Sequence, residues 1–415
     1  MLAGLAWGPH ALADRPSGGS AAHGAEAPGF AGLTALMEST TASGGYPGAV
    51  ALVARDGRVV AFDAYGFADI ARRRPLRRDA IFRIYSMTKP IATVAALMLV
   101  EEGRLSLDAP IETVLPEFAH PQVFESGTAD APVLRPAQRA ITLRDLLTHT
   151  AGFATGGKGI EEPTRLLERA NLHGSADLAD FAHRASRLPL ASDPGARFRY
   201  DGTNIEVASR MVEVASGMSF AAFLRKRLFE PLHMRDTGFV VPPRQRGRVV
   251  DLPTRDAEAT LVRVHEPSAL RPGVSLQHYT SGAGGLYSTA SDYLHFCTML
   301  LDGGRYDDTV LLSRETIAAM MKDQLPTGVS PGALLNPGES FGFGGYVVVD
   351  PATRPRPGST GAWGWSGAAS TYFTIDPGKH LIAILLMQYL PRNDAEDLPK
   401  VSARFYETVY RALEP

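Results

Sequence analysis

Ile84-Tyr85-Ser86-Met87-Thr88-Lys89-Pro90 is the stretch whose reading decides both fold and chemistry. It opens an Ala- and Leu-rich run, Ile91 to Val100, that predicts a buried helix. Residues three apart on a helix share a face, so Ser86 and Lys89 come within reach of each other at the helix start. A free serine hydroxyl is a weak nucleophile and needs a base beside it. A lysine partly stripped of water can help to provide one. The helix N-terminus adds a positive field and free N–H groups suited to an oxyanion. Ser-x-x-Lys alone recurs by chance, as a capping serine followed by a solvated lysine, so its weight comes from what surrounds it.

On the N-terminal side, Gly48–Ala54 and Val59–Tyr65 are two apolar runs around Asp56-Gly57, which predicts a β-hairpin. Phe30 to Ala42 has helical spacing, and the Gly-, Ala-, Ser- and Pro-rich residues before it predict a flexible leader over 1–28. On the C-terminal side, His120 to Arg139 has no clear period and three prolines, and predicts a surface loop. Ile141 to Gly152 predicts a short helix capped by Thr142 and closed by Gly152. Helical patterns follow over Leu166–Leu190 and Ile205–Leu228, and another starts after Ser288 or Thr289. The last part returns to strands at Phe341–Asp350, Ala369–Ile375 and His380–Met387, with tight turns between them, and ends in a helix over Asp397–Leu413. Strands at both ends with helices between predict an α/β (α+β) fold: an antiparallel sheet flanked by helices, with an inserted, mostly helical domain. The expected division is a leader at 1–28, an α/β sandwich at 29–104 and 285–415, and a helical insert at 105–284.

Ser-Met-Thr-Lys-Pro with its Ala/Leu-rich helix resembles the β-lactamase-like serine hydrolases, the superfamily of class C β-lactamases, D-Ala-D-Ala peptidases and family VIII carboxylesterases. Pro194–Tyr200, Phe229–Phe239 and Gly284–Tyr293 are similar to further segments of that superfamily, and the resemblance runs from about Gly48 to Leu390. It implies a β-lactamase/transpeptidase-like fold with Ser86 as nucleophile. It also implies that Tyr200, in Phe198-Arg199-Tyr200-Asp201-Gly202, is a second proton carrier beside Lys89. Gly202 stands where the pattern has Asn, and Asn204 lies two residues later, a departure that points toward the esterases. No Lys-Thr-Gly occurs; Trp365-Ser366-Gly367 holds that place as the expected substrate-binding segment. The backbone N–H groups of Ser86 and Ala368 are the implied oxyanion hole. His149, in Leu-Leu-Thr-His-Thr-Ala-Gly, is expected to be scaffold.

The reading that follows is a serine carboxylesterase of the family VIII type, acting on small-molecule short-chain esters through an acyl-enzyme and needing no metal or organic cofactor. Alternatives are a β-lactamase, D-amino-acid peptidase or acyltransferase of the same fold, or a non-catalytic penicillin-recognising or scaffold protein. With 415 residues, 45% of them hydrophobic, the chain can build a large core. Its net charge of -2 gives no support for nucleic-acid binding. The single cysteine, Cys297, excludes an intramolecular disulfide and reads as a packed apolar residue. No run is long and apolar enough to span a membrane. Gly156-Gly157-Lys158-Gly159 lacks the strand and ending of a phosphate loop. Met1–Ala13 is mildly apolar and ends in Ala11-Leu12-Ala13, but it lacks a basic start and is interrupted by Pro9-His10. The expected location is cytoplasmic, with export as the alternative if that segment is a signal peptide. Oligomeric state is not readable from the sequence.

Overall fold

The computed structural model describes residues 29–42, 45–71, 73–154, 156, 159–265, 271–394 and 397–414. The expected leader over 1–28, and Gly157 and Lys158 of the glycine-rich stretch, lie outside the described residues.

Strand β1 (Gly48–Arg55) is apolar from Ala49 to Ala54 because both of its faces are covered. Val50, Leu52 and Ala54 join the larger core, and Ala49, Ala51 and Val53 join the smaller one. The Asp56-Gly57 turn, with both φ angles positive, returns the chain into β2 (Arg58–Gly66), as a two-residue hairpin of this hand requires. The remaining sheet strands come from the other end of the chain: β3 (Glu339–Phe341), β4 (Tyr346–Val348), β5 (Trp363–Gly367), β6 (Thr371–Asp376) and β7 (Leu381–Met387). All pairings are antiparallel, in the order β3-β4-β5-β6-β7-β1-β2. β7 pairs directly with β1, Leu52 opposite Ile384, and so joins the two ends of the chain into one sheet.

On the larger-core side lie α2 (Thr88–Glu101) and α8 (Ala290–Leu301), whose Cys297 is buried as expected. On the other side α1 (Ala31–Thr40) and α10 (Ser402–Arg411) pack their Leu33, Met37, Phe405 and Val409. Between the halves of the sheet the chain forms α3 (Leu143–Leu147), α4 (Glu161–Ala170), α5 (Leu178–Ser186), α6 (Gly202–Ser216) and α7 (Phe220–Leu224). α9 (Arg314–Met320) follows α8. α6 packs against α2, which is therefore apolar nearly all round. The architecture is the expected mixed α/β one, a large antiparallel sheet with helices on both faces.

Several local expectations differ from what is observed. The stretch from His120 to Arg139 contains a hairpin, Gln122–Gly127 paired with Pro132–Pro136. It escapes notice in the sequence because it buries almost no face and so has no alternation to read. α3 has its expected Thr142 cap, completed by Asp145, but ends at Leu147. Gly152 instead permits a close approach, since a Cβ there would lie 2.2 Å from the Ser192 carbonyl. The Phe341–Asp350 run is two short strands around a Gly-rich turn, not one. Gly217, with φ 71°, breaks the long helix expected over Ile205–Leu228. Among the described residues, no single helix is long and apolar enough to cross a membrane.

Candidate active site

The approach to Ser86 is fixed by backbone pairing. Phe82–Arg83 pairs with Tyr287–Ser288, and the Ile84 N–H donates to the Leu286 carbonyl at 3.0 Å. Tyr85 then takes φ 42°, a left-handed conformation that costs a non-glycine residue about 1–3 kcal/mol. One 3-10 turn, Tyr85–Met87, leads into α2. The Tyr293 hydroxyl holds the Met87 carbonyl at 2.9 Å, and Thr88 Oγ1 accepts the Leu286 N–H at 3.2 Å. The strained turn is thus tied on both sides, and Ser86 is left half-buried at its apex.

Lys89 follows one helical turn later and is 4% exposed. Its Nζ donates to Ser86 Oγ at 3.1 Å and to the Ala283 carbonyl at 2.7 Å. The same nitrogen lies 4.8 Å from the Tyr200 ring centroid. Tyr200, distant in sequence, therefore converges on the Ser86–Lys89 pair. With Lys89 neutral, the contact to Ser86 runs the other way, with the hydroxyl as donor.

Tyr200 is held from three directions. Asp201 caps α6 by accepting the Thr203 N–H at 2.7 Å, and burial pushes its carboxyl up. Its own N–H donates to His149 Nδ1 at 3.2 Å, while the His149 carbonyl accepts from the Arg199 N–H at 2.8 Å. The His149 ring lies 4.7 Å from the Tyr200 ring. Burial, then the nearby Lys89 charge, pushes His149 well below its usual range, which favours the neutral imidazole. The third contact was not legible in the sequence: Trp365 Nε1 donates to the Tyr200 hydroxyl oxygen at 3.0 Å.

β5 brings Trp365 to that position. The Trp365 ring is 7% exposed, tilted 5.0 Å from Tyr200 and edge-on 5.2 Å from Phe341. Its single N–H is spent on Tyr200, and little of its face is open. Gly367 presses against the nucleophile turn, since a Cβ there would lie 2.3 Å from the Ile84 carbonyl oxygen. That contact sets the register that leaves Ser366 half-buried and Ala368 exposed in the following turn.

Sequence reasoning also missed Glu206. It lies on α6 among the buried Ile205, Val207 and Ala208 and is itself 3% exposed. Its carboxylate accepts the Ser281 hydroxyl and, at 2.9 Å, the Gly282 N–H, in the loop that presents Ala283 to Lys89. The available signal was an acidic residue on the apolar face of a helix. Among the described residues, no cluster of His, Cys, Asp and Glu is placed to hold a metal ion.

Comparisons with known proteins place the chain in a family. The family profile described as Beta-lactamase matches residues 33–404. Protein Rv1367c of Mycobacterium tuberculosis is 33% identical over 407 residues, which cover 92% of this chain and 98% of that protein. Esterase EstB of Burkholderia gladioli is 32% identical over 360 residues, 82% of this chain and 85% of EstB. Among solved structures, EstCE1, described as a hydrolase with promiscuous acyltransferase activity, superposes with a TM-score of 0.76. It is 25% identical in sequence, covering 92% of this chain and 98% of that one.

Proposed function

The chain belongs to the beta-lactamase family, and from that premise we propose that it is a serine carboxylesterase of the family VIII type, acting on short-chain neutral esters. The observation that carries this reading is the contact of Lys89 Nζ with Ser86 Oγ at 3.1 Å, beside Tyr200. In this scheme Ser86 Oγ attacks the ester carbonyl as its proton passes to the Lys89–Tyr200 pair. The carbonyl oxygen becomes an oxyanion held by the backbone N–H groups of Ser86 and Ala368. Collapse of the tetrahedral intermediate breaks the bond to the alcohol oxygen, which takes the proton and leaves. Water, activated by the same pair, attacks the acyl-Ser86 ester and releases the acid. If a second alcohol takes the place of water, the product is a new ester. The description of EstCE1 favours that acyl transfer as a secondary activity.

Substrate class follows from Trp365-Ser366-Gly367. This segment offers a substrate carboxylate no lysine of its own, Lys89 is already engaged with Ser86 and Ala283, and the indole N–H already serves Tyr200. Burying that anion without a charge partner costs free energy, a cost that a neutral ester avoids. The kcat/KM for p-nitrophenyl butyrate should therefore exceed that for nitrocefin by a wide margin, with at most weak turnover of the cephalosporin through the Ser366 hydroxyl. A larger value for nitrocefin overturns the esterase assignment in favour of a β-lactamase.

A further inference from the structure

The loop Ser281–Gly284 has a carboxylate on one side and the lysine of the site on the other. Glu206 accepts the Ser281 hydroxyl through Oε1 and the Gly282 N–H through Oε2, the latter at 2.9 Å. The Ser281 hydroxyl oxygen in turn accepts the Gly284 N–H at 3.1 Å, and the Ser281 carbonyl accepts the Gly285 N–H at 2.9 Å. Between these ties, the Ala283 carbonyl accepts a hydrogen bond from Lys89 Nζ at 2.7 Å. The loop has no room to slide along α6, because a Cβ on Gly282 would lie 2.0 Å from Ser209 Oγ. We propose that Glu206 is a positioning residue which, by fixing this loop, holds the Ala283 carbonyl and so aims Lys89 at Ser86. The proposal rests on the reading of Ser86 and Lys89 given above and extends it to a residue outside the reacting set.

The groups facing Glu206 make it more than a neutral tie between helix and loop. Lys89 faces it from α2, and the Tyr279 phenol faces it from the chain just before the loop. His173 lies behind that phenol, its Nδ1 3.5 Å from the Tyr279 hydroxyl. Burial, then the Glu206 charge, pushes Tyr279 above its usual range, so it stays neutral. Burial also pushes the Glu206 carboxyl up to about 7, against the opposing pull of the Ser281 hydroxyl and the Lys89 charge. Near neutrality both forms are populated. The ionised form accepts both donors. The protonated form must carry its proton on one of the two oxygens that now accept, so that oxygen turns donor, the Ser281 hydroxyl has to swing its own proton elsewhere, and the loop with its Ala283 carbonyl loosens from Lys89.

Glu206→Gln tests this, because the amide keeps the length and, like the protonated acid, donates where the carboxylate accepts the Ser281 hydroxyl, yet neither carries charge nor titrates. Two rates are followed from about pH 5 to 9: turnover of p-nitrophenyl butyrate, and labelling of Ser86 by a fluorophosphonate. The variant should lose roughly 10- to 100-fold in kcat and in labelling rate with KM little changed. The acid limb near pH 7 in the wild-type profile should also disappear. An acid limb that stays in place in Glu206→Gln, or a wild-type kcat, overturns the proposal. Ser281→Ala gives an independent check. It removes a donor to the ionised carboxylate, so the limb must move to higher pH; a limb that stays or moves down counts against Glu206. Labelling does not depend on which substrate is hydrolysed, so a wrong ester assignment leaves this test intact. An unlabelled wild-type Ser86 sinks the nucleophile reading and this proposal together.

Discussion

Glu339 and Glu206 are both buried carboxylates, and the protein treats them in opposite ways. Glu339, on β3, is 7% exposed and saturated: Oε1 accepts from Arg354 Nε at 2.6 Å and Arg356 Nη2 at 2.9 Å, and Oε2 accepts the Asn336 N–H at 3.0 Å and its amide at 2.9 Å. Burial pushes its carboxyl up, but the Arg356 and Arg354 charges outweigh burial and hold it below the usual range. Glu206 has a hydroxyl and an N–H as bonded partners, its nearby cation is engaged with Ser86, and burial leaves it near 7. The strained φ at Tyr85 lies beside this second region, against Gly284. The first region is fully paired. The second keeps strain and an adjustable charge, as sites that move protons do.

The largest expected effect separates the two regions by activity. Ser86→Ala should lower ester turnover by at least about 1,000-fold, because the nucleophile is lost outright. The change deletes one half-buried hydroxyl, so circular dichroism should be unaltered and stability should change by at most about 1 kcal/mol. A folded Ser86→Ala protein with wild-type turnover would remove Ser86 from the mechanism.

The next effect separates them by stability. Glu339→Ala leaves Arg354, whose side chain is 2% exposed, and Arg356 without their carboxylate, which should cost about 3–5 kcal/mol in urea unfolding. Turnover per folded molecule should hold, since no residue of this cluster bonds to the site. The pH dependences have opposite signs. Glu339 is held low, so its stabilisation is present above the ordinary carboxyl range and is lost as pH falls through its folded-state value. Glu206 is raised from 4.5 to about 7, so within that window the folded chain binds a proton that the unfolded chain has released, and stability falls as pH rises. Two and a half units correspond to about 3 kcal/mol. Glu206→Gln should accordingly match wild type near pH 4.5 and be more stable by up to that amount at pH 8, while it is slower as an enzyme. A Glu206→Gln protein less stable than wild type at pH 8 would make Glu206 a second structural carboxylate and erase the contrast.

What could be read from the chain follows the range of the interactions involved. The β1–β2 hairpin, α2, the strands at both ends and the Ser86–Lys89 pair are written in local pattern: a two-residue turn, an apolar run, a spacing of three. The convergence of Tyr200 on Lys89 was legible only because its flanking residues resemble a known segment. The hairpin at Gln122–Pro136 was hidden because it buries little, so solvent and not the core selects its residues. Glu206 was hidden because its partners lie 75 and 76 positions away, and the Trp365–Tyr200 bond spans 165. No periodicity encodes a hydrogen bond across such distances.

The smallest effect concerns that last bond. Trp365→Phe keeps an aromatic ring against Phe341 but deletes the N–H that Tyr200 Oη accepts at 3.0 Å. If the phenol oxygen takes up negative charge during proton transfer, the indole N–H stabilises it more in the transition state than in the resting site. One such bond contributes about 1 kcal/mol, so kcat for p-nitrophenyl butyrate should fall by up to about 10-fold. KM should barely move, because the 7%-exposed ring offers the substrate little surface. A Trp365→Phe enzyme with raised KM and unchanged kcat would instead make the indole a wall of the substrate pocket. Unchanged values of both would reduce Trp365 to packing and leave Lys89 and the helix start as the groups acting on Tyr200.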